Sequence, residues 1–420
     1  MSESKRKILY LCADTGIPYW GTKGGSIHMR EFVSNLQKQG YDITVVARGA
    51  DANGHQYNSV LYFDLPPLPD SVAGENSAAA TVDNKISAEM NLFDHNNAVE
   101  TFISMLHSQS NFDLIYERYS LFCQAGLKFA RANGLPFTLE VNAPLVVEAA
   151  EYRGLAQKDL AISVAQHLFE DADHIISVSD EVAGYIKSVA PGAAVSVIPN
   201  GVTVEQFTNS DGLKDIDLSF DRFDKSDFVV GFVGSLKPWH GVEILIDSFA
   251  DLSKNEIKDR LLVVGGKGKL KSELKQKCRE LGLKGRVKFT GSVEHETIPA
   301  FLEMADVLVA PYPDLNDFYF SALKIFEYMA AGKAIVASSI GQIEEILVHE
   351  QTALLVPPGD AVALRDALLR LKNDPGLRKK LGENARIEAV AKHTWNSRLK
   401  TVSRIFEDLM AGAKTESGKL

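Results

Sequence analysis

The sequence predicts two doubly wound α/β domains in tandem. At 420 residues the chain is longer than one hydrophobic core serves. Short apolar runs rich in β-branched residues alternate with segments of helical period, the pattern of a parallel sheet covered by helices on both faces. The alternation breaks once, at Pro199-Asn200-Gly201, and then starts again.

Along the first half, KILYLCA, YDITVVA, FDLIYER, PFTLEVN, DHIISVS and AVSVIPN read as strands, with helical patterns such as HMREFVSNLQKQG between them. Residues 66–90 are rich in Pro, Ala, Ser and Asn and lack periodicity at their start, so a long loop at the domain edge is expected there. The polar stretch TNSDGLKDIDLSFDRFDKSD follows VIPNGVTVEQF and places the boundary near residue 205. Beyond it DFVVGFVGS, RLLVVGG, RVKFTGS, DVLVAPY, KAIVASS and TALLVPP repeat the strand pattern. The expected domains are 1–205 and 206–392, followed by a helix and the tail AGAKTESGKL, expected to be disordered.

Composition removes several function classes. Lys and Arg number 45 against 55 Asp and Glu, a net charge of −10. Residues 1–205 carry 14 basic and 24 acidic side chains and the remainder 31 of each, so the whole excess lies in the first half. A nucleic-acid partner needs a basic surface and is not expected. The apolar runs reach about half the roughly 18 residues of a membrane span, and MSESKRK leads directly into a strand, which implies a cytoplasmic protein. Cys12, Cys123 and Cys278 show neither CxxC nor metal spacing, so no disulfide and no metal site is expected.

Open parallel sheets bind ligands outside the carboxyl ends of their strands. Three loops there carry chemistry. In CADTGIPYWGTKGGSIHMREF, Gly24 and Gly25 open a helix whose free N–H groups attract phosphate; the alternative is that they only permit a bend. The loop is long and the next strand ends in Arg48 rather than an acid, which argues against a dinucleotide. In FVGSLKPWHGVE, Lys237 and His240 are candidate cations for a diphosphate beside a helix start; the alternative is a solvated Lys237 with Trp239 as a lid. In NDFYFSALKIFEYMAAGKAIVASS, Lys324 and Glu327 are i,i+3 neighbours suited to a phosphate and a ribose, or else a surface ion pair. Glu117, Arg118, Glu140, Asn142 and Glu148 follow strands and suit sugar hydroxyls, or serve as caps and turn residues.

Together GTKGGSIHMREFVSNLQKQGYDITVVA, SVIPNGVTVEQF, GFVGSLKPWHGVEILIDSFA, ADVLVAPYP, FYFSALKIFEYMAAGKAIVAS, GQIEEIL and TALLVPPGD resemble, in this order and spacing, family 4 glycosyltransferases. That resemblance implies a GT-B fold of two facing Rossmann-like domains and retaining transfer from a UDP- or GDP-sugar, with no resident cofactor and no metal. It implies diphosphate contacts from the backbone of Gly24 and Gly25, amides of Ser321, Ala322 and Leu323 toward phosphate and sugar, and ribose binding by Glu327. It also implies that the helix containing Trp395 crosses back to the first domain. Two departures stand out. Tyr319 occupies the place of the first glutamate of the family's E-x7-E element. In the element commonly written G-R-L-x3-K-G, Gly234 is kept while Ser235 replaces the arginine and His240 the lysine. Lys324, Lys237 and His240 are then expected to stabilise the departing diphosphate, with Asn142 and Glu140 touching sugar or acceptor. If protonated His240 holds the diphosphate, donor affinity falls as pH rises through the imidazole range. The acceptor is expected to be a hydroxyl in polysaccharide, glycolipid or glycoconjugate synthesis, and a lipid acceptor would call for peripheral membrane contact. Other readings are a second GT-B enzyme, such as a nucleotide-sugar epimerase or a phosphorylase, and a non-catalytic nucleotide-sugar scaffold.

Overall fold

The computed structural model describes all residues except 1–4, 51–54, 58–59, 69–81, 208–222, 225, 255–257, 267–268 and 418–420. In chain order the first half runs β1 (Lys7–Cys12), α1 (Gly24–Lys38), β2 (Asp42–Ala47), β3 (His55–Tyr57), β4 (Val60–Phe63), α2 (Val82–Asp94), α3 (Asn96–Ser110), β5 (Leu114–Arg118), α4 (Ala125–Asn133), β6 (Phe137–Val141), α5 (Leu145–Tyr152), α6 (Lys158–Asp171), β7 (His174–Ser177), α7 (Asp180–Val189) and β8 (Val195–Val197). The second half runs β9 (Phe228–Val233), α8 (Val242–Leu252), β10 (Asp259–Val264), α9 (Lys269–Glu280), β11 (Val287–Gly291), α10 (Ile298–Glu303), β12 (Val307–Ala310), α11 (Leu323–Ala330), β13 (Ala334–Ser338), α12 (Gln342–Ile346), β14 (Leu354–Val356), α13 (Ala361–Asn373), α14 (Pro375–Lys392) and α15 (Trp395–Ser417).

The first sheet has the order β3-β4-β2-β1-β5-β6-β7-β8, parallel throughout except for the antiparallel edge pair β3 and β4. The second has the order β11-β10-β9-β12-β13-β14 and is parallel. Alternation along the central strands explains why both faces are covered. In β1, Ile8, Tyr10 and Cys12 enter one core cluster while Leu9 and Leu11 enter another. In β9, Phe228, Val230 and Phe232 pack on one side and Val229 on the other. Strands so buried on two faces are continuously apolar, which is why they were legible in the sequence. In each sheet the order reverses at the first strand, β1 or β9, and that reversal opens a crevice at the carboxyl ends.

Two expectations are corrected. Residues 82–90, assigned to a loop, lie in α2; residues 69–81 of that assignment fall outside the described residues. The tail expected to be disordered is helical to Ser417, because α15 continues through it. The edge strands β3 and β4 escaped notice because they are short and partly polar. Among the described residues no helix is long and apolar enough to cross a membrane.

The chain passes between the domains twice, side by side. Val202 N donates to His393 O at 2.9 Å and Trp395 N to Val202 O at 3.2 Å, and a Cβ on Gly201 would meet the Trp395 backbone at 2.8 Å. From there α15 returns to the first domain. Its residues Trp395, Leu399, Val402, Phe406 and Met410 follow helical spacing and are buried with Ile8, Tyr10, Tyr41 and Tyr116. Phe406 is fully buried, its ring 5.7 Å from Tyr116 and 6.0 Å from Tyr41. Phe406→Ala should therefore cost about 3–5 kcal/mol and lower the urea midpoint of the amino-terminal domain. An unchanged midpoint would show that α15 does not belong to that core.

Candidate functional site

The first turns of α1 and α11 meet at the crevice. A Cβ on Gly24 would lie 3.8 Å from Leu323 Cδ1, and one on Gly25 would lie 3.1 Å from Ile17 and 3.6 Å from Arg118 Nη2. Neither helix has a side-chain cap or an acidic residue in its first turn. Their leading N–H groups and positive dipole ends are thus available to an anion.

Lys324 lies on the first turn of α11. It is 9% exposed, and its Nζ has no hydrogen-bond partner among the described residues. The ammonium lies 4.3 Å from the ring centre of Phe232 and 5.3 Å from that of Tyr312. A Cβ on Gly234 would come within 2.8 Å of Nζ, so the glycine after β9 leaves room above the charge. Burial lowers the ammonium to about 7, with Glu327 acting in the opposite direction. An unpaired buried cation is costly, and an anionic ligand would relieve that cost.

The turn after β9 corrects the reading of its residues. His240 Nδ1 sits 2.6 Å from the carbonyl oxygen of Ser235, to which the neutral ring donates, and 3.2 Å from Ser235 Oγ. Burial and the neighbouring Lys324 lower His240 to about 3, so it is not the titratable cation expected at neutral pH. Its ring closes the turn instead. Gly241 is required there: its φ is 65°, and a Cβ would run into the Pro311 carbonyl. Lys237 is exposed, with its ammonium 5.5 Å from the Trp239 ring centre. Trp239 in turn stands against Tyr152 at the end of α5, ring centres 5.9 Å apart.

Glu327 lies one turn along α11 from Lys324. Its Oε1 is 2.7 Å from His295 Nε2, on the segment following β11, and both side chains are about nine-tenths buried. No ion pair joins Glu327 to Lys324 among the described residues. The recess around Glu327 is lined by Ile27, Glu31, Gly201, Thr203, Leu323 and Trp395, so it adjoins the double crossing of the chain. Burial opposes protonation of His295, but the bond to Glu327, with Glu31 and Glu296 nearby, outweighs it and raises the imidazole.

On the first domain's side, Glu140 at the end of β6 is the hub. Its Oε1 is 2.5 Å from His28 Nε2, and its Oε2 accepts from Arg118 Nη1 at 3.3 Å. Burial raises this carboxyl, but His28 and Arg118 outweigh burial and lower it to about 2. His28 Nδ1 meets Asn200 Oδ1 at 2.6 Å, and Asn200 Nδ2 donates to Ser321 O at 2.7 Å. A buried polar chain therefore runs from the first sheet through the linker to the segment just before α11. The Asn142 amide is buried beside Glu140 and helps to lower its carboxyl. Glu117 departs from its expected place: it packs under the first turn of α4 against Gly126, fully buried, and burial pushes it up to about 7. It belongs to the core and does not line the crevice.

The structure thus brings Gly24, Gly25, Arg118, Gly234, Ser321, Ala322, Leu323, Lys324 and Glu327 to one crevice. His28, Asn200 and His295 were not singled out from the sequence. A signal existed for His28, one helical turn after Gly24, and for His295, just past the carboxyl end of a strand.

Two facing doubly wound domains with an anion-ready crevice define a ligand-binding α/β enzyme architecture. Comparison specifies it further: residues 22–206 match Glycosyltransferase Family 4 and residues 215–388 match Glycosyl transferases group 1. The chain belongs to this glycosyltransferase family, with the GT-B fold. It is 24% identical to an uncharacterized glycosyltransferase of Methanocaldococcus jannaschii, over 92% of this chain and 95% of that one. It is 29% identical to the phosphatidyl-myo-inositol mannosyltransferase of Mycobacterium leprae, over 64% of this chain and 69% of that one. Among solved structures, sucrose-phosphate synthase of Thermosynechococcus elongatus superposes with a TM-score of 0.75 at 21% identity, covering 97% of this chain and all of that one. HepE of Anabaena, solved with UDP-glucose, gives 0.66 at 20% identity, covering 96% and 99%.

Since Glu327 raises His295, their pairing adds stability that is complete below the unfolded imidazole value of about 6.5 and is lost as pH rises through the higher folded value. The difference in Tm between wild type and His295→Gln should be largest at about pH 6 and shrink toward about pH 8.5. A difference independent of pH would contradict the pairing.

Proposed function

We propose that this glycosyltransferase moves a sugar from a UDP- or GDP-sugar to an acceptor hydroxyl with retention at the anomeric carbon, and that it needs no metal to do so. The observation that carries the reading is Lys324: a buried ammonium without a hydrogen-bond partner among the described residues, beside Gly234 and on the first turn of an uncapped helix. A diphosphate would supply its missing partner, while the first turns of α1 and α11 offer N–H groups. Each charge-assisted bond would contribute about 1.5–3 kcal/mol. Glu327, held by His295, would accept the two ribose hydroxyls. The likeness to HepE, solved with UDP-glucose, and to a mannosyltransferase supports a nucleotide-sugar donor.

During transfer the bond from the anomeric carbon to the β-phosphate oxygen breaks, and its electron pair stays on that oxygen. The acceptor oxygen bonds to the same face, and its proton passes to the departing phosphate. Lys324 and the helix ends stabilise the charge as it grows, which is where such groups lower a barrier. The acceptor enters on the side of Glu140 and Asn142. A glycan or glycolipid hydroxyl is the acceptor class proposed, and a lipid-borne one would bring the protein to a membrane surface.

A thermal-shift series against UDP, GDP, ADP and TDP, with and without magnesium, tests the donor. One nucleotide at about 100 times its Kd should add ~2.7 kcal/mol to the folded state with or without the metal. Lys324→Met should raise the Tm of the free protein, by removing an unpaired buried charge, and abolish that shift. A shift that survives in Lys324→Met would remove the lysine from the site.

The pH dependence of binding follows. Lys324 titrates at about 7 in the free protein and becomes fully charged against a diphosphate, so nucleotide affinity should fall as pH rises from about 7 to 9. His240→Gln should keep the same profile, whereas dependence on His240 would restore the imidazole to the diphosphate site.

A further inference from the structure

The domain that binds the donor lacks a carboxylate at position 319, and the opposite domain places one there. Tyr319 precedes α11 by four residues, and its hydroxyl donates to Glu148 Oε2 on α5 at 3.1 Å. The other carboxylate oxygen accepts from Arg153 Nη2 at 2.6 Å. Burial and the adjacent carboxylate both raise the phenol, so Tyr319 remains a donor throughout the working pH range. Its backbone is anchored too: Ser179 Oγ, at the head of α7, donates to Tyr319 O at 3.0 Å.

We propose that Glu148, held by Tyr319 and Arg153, binds hydroxyl groups of the donor's sugar, so that sugar recognition requires both domains. The inference rests on the nucleotide-sugar reading above. Four features support it. Glu148 stays 22% exposed, and each carboxylate oxygen engaged by one donor keeps a second lone pair for a hydroxyl. The helix that carries it begins three residues after Asn142, which lies beside Glu140 at the end of β6. Tyr152, one turn beyond Glu148, meets Trp239 of the turn after β9, the rings tilted with centres 5.9 Å apart. Helix α5 therefore touches the donor domain at two points, one beside the Gly234 turn and one before α11, and both segments belong to the diphosphate cradle proposed above. A sugar attached to the β-phosphate would face the helix that joins them.

The role differs from a structural one in what it predicts. A residue that only held the domains together would weaken every ligand bound in the crevice. Glu148 as a sugar ligand would distinguish a nucleotide from its sugar conjugate. The experiment is titration calorimetry of wild type, Glu148→Gln and Tyr319→Phe with the matched pairs UDP and UDP-glucose, and GDP and GDP-mannose. Both variants are close in volume to the native residues, and unchanged Tm values would confirm that they fold. For the pair the wild type binds, the variants should keep the nucleotide Kd and weaken the nucleotide sugar about tenfold, close to 1.4 kcal/mol. Arg153→Ala, which frees the carboxylate from its tether, should show a smaller loss in the same direction. Equal weakening of nucleotide and nucleotide sugar, or no change in either, would overturn the proposal. Failure of the wild type to bind any of the four would defeat the donor reading itself, and the sugar site with it.

Discussion

The ammonium of Lys324 sits against Phe232 and Tyr312 with no hydrogen-bond acceptor in reach among the described residues, and the carboxyl-terminal half of the crevice is arranged around that charge. Gly234 lacks a side chain where one would strike Nζ. His240 gives its ring to the turn's own carbonyl and stays neutral beside a second cation. Glu327, one turn further along, pairs with His295 and leaves the lysine unbound. Each of these local choices keeps a cation buried without satisfying it, a condition that folding alone would not favour.

The two domains are linked by polar groups as well as by the chain. His28, Asn200 and Ser321 connect the Glu140–Arg118 pair of the first sheet to the entrance of α11. Thr203 and Gln206 of the linker meet Glu31 of α1. Such contacts are directional, so they specify one arrangement more sharply than apolar packing would. Helix α15 adds the apolar part by inserting Trp395 and Phe406 into the first domain's core.

The departures from the family pattern acquire a common explanation. Where the resemblance expects two basic residues, the turn after β9 has Ser235 and a neutral His240, and the Lys324 ammonium of the neighbouring helix lies beside Gly234. Replacement of a glutamate by Tyr319 removes a carboxylate, and Glu148 brings one from across the cleft.

Much of this architecture was legible because its strands are buried on both faces. Continuous apolar runs ending in Gly, Ser or Asn marked the central strands of both sheets and the loops that follow them, and from there Gly24, Gly25, Lys324 and Glu327 could be placed at carboxyl ends. Short edge strands such as β3 and β4 carry no such signal. Nor could composition distinguish a loop from helix α2, whose moderate amphipathicity follows a stretch of turn-forming residues. The sequence by itself determined the two-sheet plan, the domain restart and the residue types at the crevice, because periodicity and local chemistry are properties of neighbouring residues. Tertiary structure alone decided which of those residues are charged and which meet. The neutrality of His240, the state of Lys324, the retreat of Glu117 into the core and the joining of Glu148 to Tyr319 depend on burial and on contacts made in space, the last of them between residues 171 apart in the chain. Desolvation and Coulomb energy are set by surroundings in space, which no local pattern encodes.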